Sequence, residues 1–462
     1  MALSAGHLIS IALTLLLIAA AGVYSGKKVK SAGEFDSGGN SGTFVVAGAI
    51  TGTLVGGSST VGTAQLAFTY GMSAWWFTLG AGISCLILAF FFAGPLRRHE
   101  SATLTGIISR EFGAGAGMLA SVLSSLGIFI NLLAQLASAQ ALISTVIPGI
   151  GLFPSTLFAA LIMAVYVIFG GVLAAGIVGV IKLVLLYIAV IVAGILAAVF
   201  SGGVHTLWTA LPHETYFNLF ARGFGVDAGA GVSLLLGVLS TQTYAQAVKS
   251  GITDKAARNG ALLSAVLIPP IGVGGILVGM HMKLHYPDIV PGQAFPLFII
   301  KYMPPILGGI VLATLFIAIV GTGAGLSLGI STIINNDIIK RITRRFDEPK
   351  KKLLIGRTLI IIVLAFGLIF TIIGVGDLIL VFGFMSMGLR AAVVFLPVCC
   401  ALFFPGKIRP VFAKLTIISG PLGVLAGRLA GVSFDPLFIG MAVALLITGV
   451  GFAFKQKRYI LK

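Results

Sequence analysis

The chain has 462 residues, of which 58% are hydrophobic and 9% charged, with a mean hydropathy of +1.11. That balance excludes a soluble globular protein and leaves a polytopic membrane protein. The formal net charge of +17 then reads as a topology signal and an attraction to anionic lipid headgroups, not as a nucleic-acid footprint.

Apolar stretches fall at 7–25, 42–70, 72–96, 115–146, 153–170, 177–200, 228–248, 260–282, 305–339, 353–374, 378–404, 411–431 and 435–454. Lipid offers backbone groups no water to bond, so these runs are helices; at about 20 residues per crossing they predict an all-α fold with about 13 transmembrane helices. The first stretch lacks a basic leader and is followed at once by Lys27-Lys28, which predicts a retained helix rather than a cleaved signal. The second contains Gly56-Gly57-Ser58-Ser59-Thr60-Val61-Gly62-Thr63 at its middle. So many glycines and hydroxyls make a poor continuous membrane helix, and unwound backbone at that depth lines a cavity or lies buried in protein. Discontinuous helices point to a transporter's binding site, because half-helix ends present their dipoles there. A close-packed Gly/Ser helix face is the other reading.

Further along, Ser124, Asn131, Gln135 and Ser138 share one helix face, and Gln242, Thr243 and Gln246 form a second polar patch. Bundle hydrogen bonding explains such patches as well as solute contact does. The cysteines, Cys85, Cys399 and Cys400, lie in apolar stretches and fit neither a disulfide framework nor a metal-ligand spacing.

Threading the chain with its N-terminus outside puts all but six of the 30 Lys and Arg on the cytoplasmic side, among them Lys30, Arg97, Arg98, the run Lys340 to Lys352 and the tail Lys455, Lys457, Arg458. Arg222, Lys283, Lys301 and Arg428 face outward, and Lys182 and Arg390 lie deepest within stretches. The C-terminus is therefore expected in the cytoplasm. A charge deep in a bilayer costs roughly 3 kcal/mol or more, so both buried cations are functional candidates. Arg390 sits at the middle of its stretch and could clamp a solute carboxylate or donate to carbonyls freed around Gly56-Gly57. Lys182 lies six residues into its stretch, where it either acts at depth or snorkels to the cytoplasm.

These pieces, taken in order, resemble the sodium:solute symporter family over most of the chain. The broken stretch is followed by Gly62, Gly71 and Trp75-Trp76, then by Leu96-Arg97-Arg98, Thr103 and Arg110-Glu111-Phe112-Gly113. Tyr166, Gly170-Gly171 and Ala174 match the family's glycine turn; Gln246, Lys249, Asp254, Lys255, Ala257, Arg258 and Gly260 match its polar inner loop. Ala318 to Lys340 is similar to its ion-binding helix, ending Asp337-Ile338-Ile339-Lys340.

The resemblance implies a LeuT-type fold with two inverted five-helix repeats. They would span 42–200 and 228–404, after an extra helix and loop (1–41), separated by an extracellular loop (201–227) and followed by two helices with a basic tail (405–462). Five crossings is an odd number, so successive units insert in opposite senses. By motif, the implied cation site is Gly52, Val55, Ala318, Gly321 and Thr322. Sodium would be held by oxygens of Gly52, Val55, Ala318 and Thr322, since a hard cation takes several oxygen ligands. Two departures stand out. Gly321 replaces the family's usual serine, and Val178-Gly179-Val180-Ile181-Lys182 replaces its Thr-Asp-x-x-Gln. A Lys182 ammonium could substitute for sodium, which would make the carrier proton-coupled or uncoupled.

The expected function is a secondary active cation:solute symporter in the plasma membrane, not an enzyme, carrying a small organic and carboxylate-type solute into the cell. Its solute site would draw on Gly56, Gly57, Ser58, Ser59, Thr60, Asn131, Gln135, Gln242, Gln246 and Arg390. Sodium or a proton is the coupling ion and no cofactor is implied. The lipid bilayer and the solute are the partners; no nucleic acid or protein partner is evident. A non-transporting membrane sensor on the same fold is the further alternative.

Overall fold

The computed structural model describes residues 3–28, 41–101, 103–170, 175–334, 349–374 and 378–454. The side chain of Lys182, the motif from Asp337 to Lys340, most of the basic run that follows it, the tail from Lys455, and Lys30, Gly171 and Ala174 lie outside the described residues. Helices occupy every apolar stretch, and no strand is present among the described residues. Among the described residues, seven helices are long and apolar enough to cross a membrane, or up to nine if each bent pair is one span; shorter apolar helices include Thr43–Leu54, Leu152–Ile168 and Leu437–Ala453.

In chain order, α1 is Ala5–Lys28. The second stretch is split into α2 (Thr43–Leu54), a π turn (Ser58–Gly62) and α3 (Thr63–Tyr70). Gly71, with φ of +53°, stops α3 while the backbone of Tyr216 presses on its Cα; a side chain is excluded on both counts. Then come α4 (Trp76–Ile87), α5 (Ala93–Arg98), α6 (Leu104–Phe112) and the long α7 (Ala114–Val146). The first half closes with α8 (Leu152–Gly170), α9 (Ala175–Phe200), α10 (Val204–Ala210) and α11 (His213–Tyr216).

The second half opens with a pair that the sequence reads as one stretch: α12 (Phe224–Leu239) and α13 (Gln242–Lys249), bent by 47° at Ser240-Thr241. Within the expected loop 201–227 lie α10 and α11, and α12 begins at Phe224. There follow α14 (Asp254–His285), α15 (Ala294–Tyr302), α16 (Pro305–Ile333), α17 (Pro349–Ile373), α18 (Ile379–Phe403), α19 (Pro410–Leu429) and α20 (Leu437–Ala453).

Glycines set how closely these helices approach. A Cβ on Gly194 of α9 would stand 2.6 Å from the Cα of Gly274 in α14, and one on Gly423 of α19 would stand 2.9 Å from the Cα of Gly440 in α20. Such contacts replace the hydrophobic drive that lipid removes. Two large apolar clusters fill the bundle, and they meet at the broken stretch: Leu54 belongs to one, Val55 to the other.

A candidate ion and solute site at the broken helix

The break can be followed bond by bond. Val55 still donates its N–H to the Thr51 carbonyl at 2.9 Å, in helical fashion. The next two amides leave the ladder: Gly56 N–H goes to Ser59 Oγ at 3.0 Å and Gly57 N–H to Oε1 of Gln135, on α7, at 3.0 Å. In a continuous helix those amides would satisfy the carbonyls of Gly52 and Thr53, so the C-terminus of α2 ends with released, electronegative oxygens. On the far side, the Gly56 carbonyl accepts from Ser59 Oγ (3.1 Å) and Thr60 Oγ1 (2.8 Å), and the Gly57 carbonyl accepts from Gly62 N at 2.9 Å. Hydroxyls thus replace the missing backbone donors. The segment from Leu54 to Ala64 is buried throughout, which is the condition for irregular backbone at membrane depth.

The two glycines are required by their neighbours. A Cβ on Gly57 would stand 2.5 Å from the Cβ of Ser138 and 3.0 Å from Gln135 Oε1; one on Gly56 would stand 3.1 Å from Thr322 Oγ1 and 3.3 Å from Gln135 Oε1. The broken-helix and close-packed readings of this stretch therefore both hold at once. The contact from Gly56 to Thr322 also brings α16 against the break. Thr322 Oγ1 donates to the Ala318 carbonyl at 2.8 Å, so the oxygens of Ala318 and Thr322 lie side by side on the face of α16 that meets Gly56.

The other expected residues divide into groups. Gln135 and Ser138 touch the break, and Gln135 Nε2 reaches Ser58 Oγ at 3.4 Å. Asn131 lies one turn away on α7, half-buried. Gln242 is engaged elsewhere: its Oε1 accepts from Leu104 N at 2.7 Å, holding the start of α6. Gln246 is exposed on α13. Gly52 and Gly321 are half-buried in α2 and α16.

Arg390 is 4% exposed on α18. Nη1 donates to Thr241 Oγ1 at 3.0 Å, Nη2 to Ser386 Oγ at 2.7 Å and Nε to the Ser386 carbonyl at 3.2 Å. Its Cγ packs over Gly127 of α7, eight residues and so roughly 12 Å along that helix from Gln135. The guanidinium therefore serves the bend between α12 and α13, not the carbonyls around Gly56-Gly57.

Sequence reasoning missed two features. One is that second bend, whose signal was the hydroxyl pair Ser240-Thr241 after a run of leucine and glycine. The other is an ion pair that ties Arg222, just before α12, to Asp227 in its first turn. Asp227, fully buried, pairs with Arg222 Nη2 at 2.6 Å and accepts from Arg222 Nε (2.7 Å), Arg222 N (2.9 Å) and Ser73 Oγ (2.7 Å). Arg222 also lies over the Phe384 ring of α18, 5.3 Å from its centroid. The expectation that Arg222 simply faces outward understated it. A carboxylate so close to the helix start reads as loop when stretches are drawn by hydropathy alone.

Comparison with known proteins gives a consistent result. The model of the sodium:solute symporter family matches residues 35–406. The uncharacterized symporter YwcA of Bacillus subtilis (strain 168) is 24% identical over 346 residues, covering 71% of this chain and 67% of that protein. Among solved structures, a Na+-coupled sialic acid symporter in a substrate-bound outward-open state superposes with a TM-score of 0.77, at 19% identity, over 97% of each chain. Mhp1 in an inward-facing conformation gives 0.60, at 13% identity, over 89% of this chain and 90% of its own. At such identities these likenesses establish the fold, which is of the LeuT type.

Proposed function

We propose a coupling scheme for this chain, which belongs to the sodium:solute symporter family and is accordingly a multi-pass secondary active symporter of the plasma membrane, not an enzyme. In this scheme the coupling ion is sodium, held between main-chain oxygens at the end of α2 (Gly52, Val55) and the oxygens of Ala318 and Thr322 on α16. The observation that carries it is the contact between Gly56 and Thr322 Oγ1 at a point where two amides have left the ladder. Several oxygens converge there without a fixed charge, which suits a hard monovalent cation. The solute lies beside Ser58, Ser59, Thr60, Asn131 and Gln135. We infer a small organic anion of the carboxylate type, because the π turn and α3 direct the positive end of a half-helix at that space.

The same scheme takes 42–200 and 228–404 as the inverted repeats, with the N-terminus outside. Gly321 supports a second reading, proton-coupled or uncoupled: it leaves Thr322 as the single hydroxyl at that pair of positions, and Lys182 would then take the ion's place. Reconstituted proteoliposomes under separate sodium and pH gradients decide between them, using labelled carboxylates, amino acids, sugars and vitamins. Accumulation of an anionic solute under an inward sodium gradient alone is expected. Accumulation driven only by the pH gradient selects the second reading, and accumulation indifferent to both gradients removes coupled transport.

A further inference from the structure

The second bend has a chemistry of its own, and it starts from α12. That helix ends at Leu239, and a helix C-terminus inside protein carries a partial negative charge and carbonyls without donors. Thr241 Oγ1 donates to the Gly237 carbonyl at 2.6 Å and accepts from Arg390 Nη1 at 3.0 Å. On the other side of the guanidinium, Ser386 Oγ accepts from Nη2 at 2.7 Å and donates to the Gly127 carbonyl of α7, also at 2.7 Å. A single relay therefore runs from a carbonyl of α7, through one hydroxyl, the guanidinium and a second hydroxyl, to a carbonyl at the end of α12. Each hydroxyl has its proton committed to a carbonyl, so its lone pairs are turned toward Arg390. Among the described residues no carboxylate pairs with this arginine. The negative ends of the surrounding dipoles supply its compensation.

We propose that Arg390 is a resident counter-charge for the second bend: a positioning residue that holds the C-terminus of α12 against α7 and α18 with a covalently attached cation, so that this bend requires no exchangeable ion. The inference goes beyond the coupling scheme above and uses it only for the transport readout. A guanidinium suits the task because it is planar, stays charged when buried and reaches two hydroxyls at fixed angles. The cost of burying it is offset by the two hydroxyls turned toward it and by the carbonyl dipoles of α12 and α7 behind them.

The test uses full-length purified protein and two independent readouts. Arg390→Ala leaves a hole the size of the lost side chain beside Thr241 and Ser386. The expected result is a melting temperature lowered by several degrees and at least a tenfold loss of uptake. Both should be partly restored by low-millimolar guanidinium chloride but not by choline chloride at equal ionic strength, with wild type unmoved by either. Arg390→Met keeps the bulk without the charge and is expected to be as impaired as Arg390→Ala. Thr241→Val, which breaks the relay without touching the arginine, should lower the melting temperature in the same direction. Wild-type stability in Arg390→Met, a wild-type melting temperature in Thr241→Val, or equal responses of Arg390→Ala to guanidinium and choline would each overturn the proposal. Because the melting readout needs no solute or gradient, failure of the symport scheme in wild-type vesicles is distinguishable from failure here.

Discussion

At the first break, between α2 and α3, the missing backbone partners are replaced by neutral groups: Ser59, Thr60 and the Gln135 amide. At the second, between α12 and α13, they are served by a hydroxyl backed by a guanidinium. Both regions are buried, both interrupt an apolar run, and both present a half-helix C-terminus to the bundle. The difference lies in what is left over. The first break retains released carbonyls at the end of α2 and sets Gly56 against Thr322 with no fixed charge, whereas the second is filled by Arg390. A site that must load and unload an ion at each turnover needs the former kind of chemistry, and a hinge that must keep its shape is served by the latter.

The comparison can be broken most severely at the second bent helix. Asp227→Asn removes the charge facing Arg222 in a fully buried setting. Leaving a buried charge without its partner costs about 3–5 kcal/mol, so this variant should show the largest fall in thermal stability of any described below. Next is Gly57→Ala, whose added methyl collides with Ser138. Overpacking costs about 1–3 kcal/mol and here falls on the break itself, so uptake should drop more than stability does. The double variant Gly57→Ala with Ser138→Gly should recover much of the uptake. Gln135→Leu comes third: it leaves the buried Gly57 N–H unpaired, worth about 1–3 kcal/mol, and should be read as a lower melting temperature together with weaker solute affinity. Thr322→Val is the mildest for folding and the most informative for function. It removes one oxygen from the α16 side and is expected to raise the half-saturating sodium concentration about tenfold, equivalent to about 1.4 kcal/mol, with the maximal rate less affected.

Much of this was legible before any coordinates. The helical class followed from run lengths, and the first break from Gly56-Gly57 with its hydroxyls, because both signals are local in sequence. Gln135 and Ser138 were marked correctly as one helix face, although only the fold shows that this face meets the break. The second bend was hidden, since Ser240-Thr241 opens a short polar run, continued by Gln242 and Thr243, whose side chains also suit a helix inside a bundle. Gln242 and Gln246 were drawn to the solute site by polarity alone, yet one holds the start of α6 and the other is exposed. Arg390 was recognised as too deep to be incidental, but a single sequence gives no view of Thr241, whose number is 149 lower and whose hydroxyl it meets. The pair Arg222 and Asp227 was lost for the opposite reason: charges five residues apart at a stretch boundary look like an ordinary solvated loop.

The central claim is that an exchangeable cation binds where α2 ends against Thr322. Its most direct test is the melting temperature of purified wild type and Thr322→Val, titrated with sodium chloride against choline chloride in the absence of solute. A ligand that binds only the folded state raises stability with its concentration. The account predicts a sodium-specific rise in wild type that shifts to roughly tenfold higher concentration in Thr322→Val. Superimposable sodium titrations of the two proteins would contradict it.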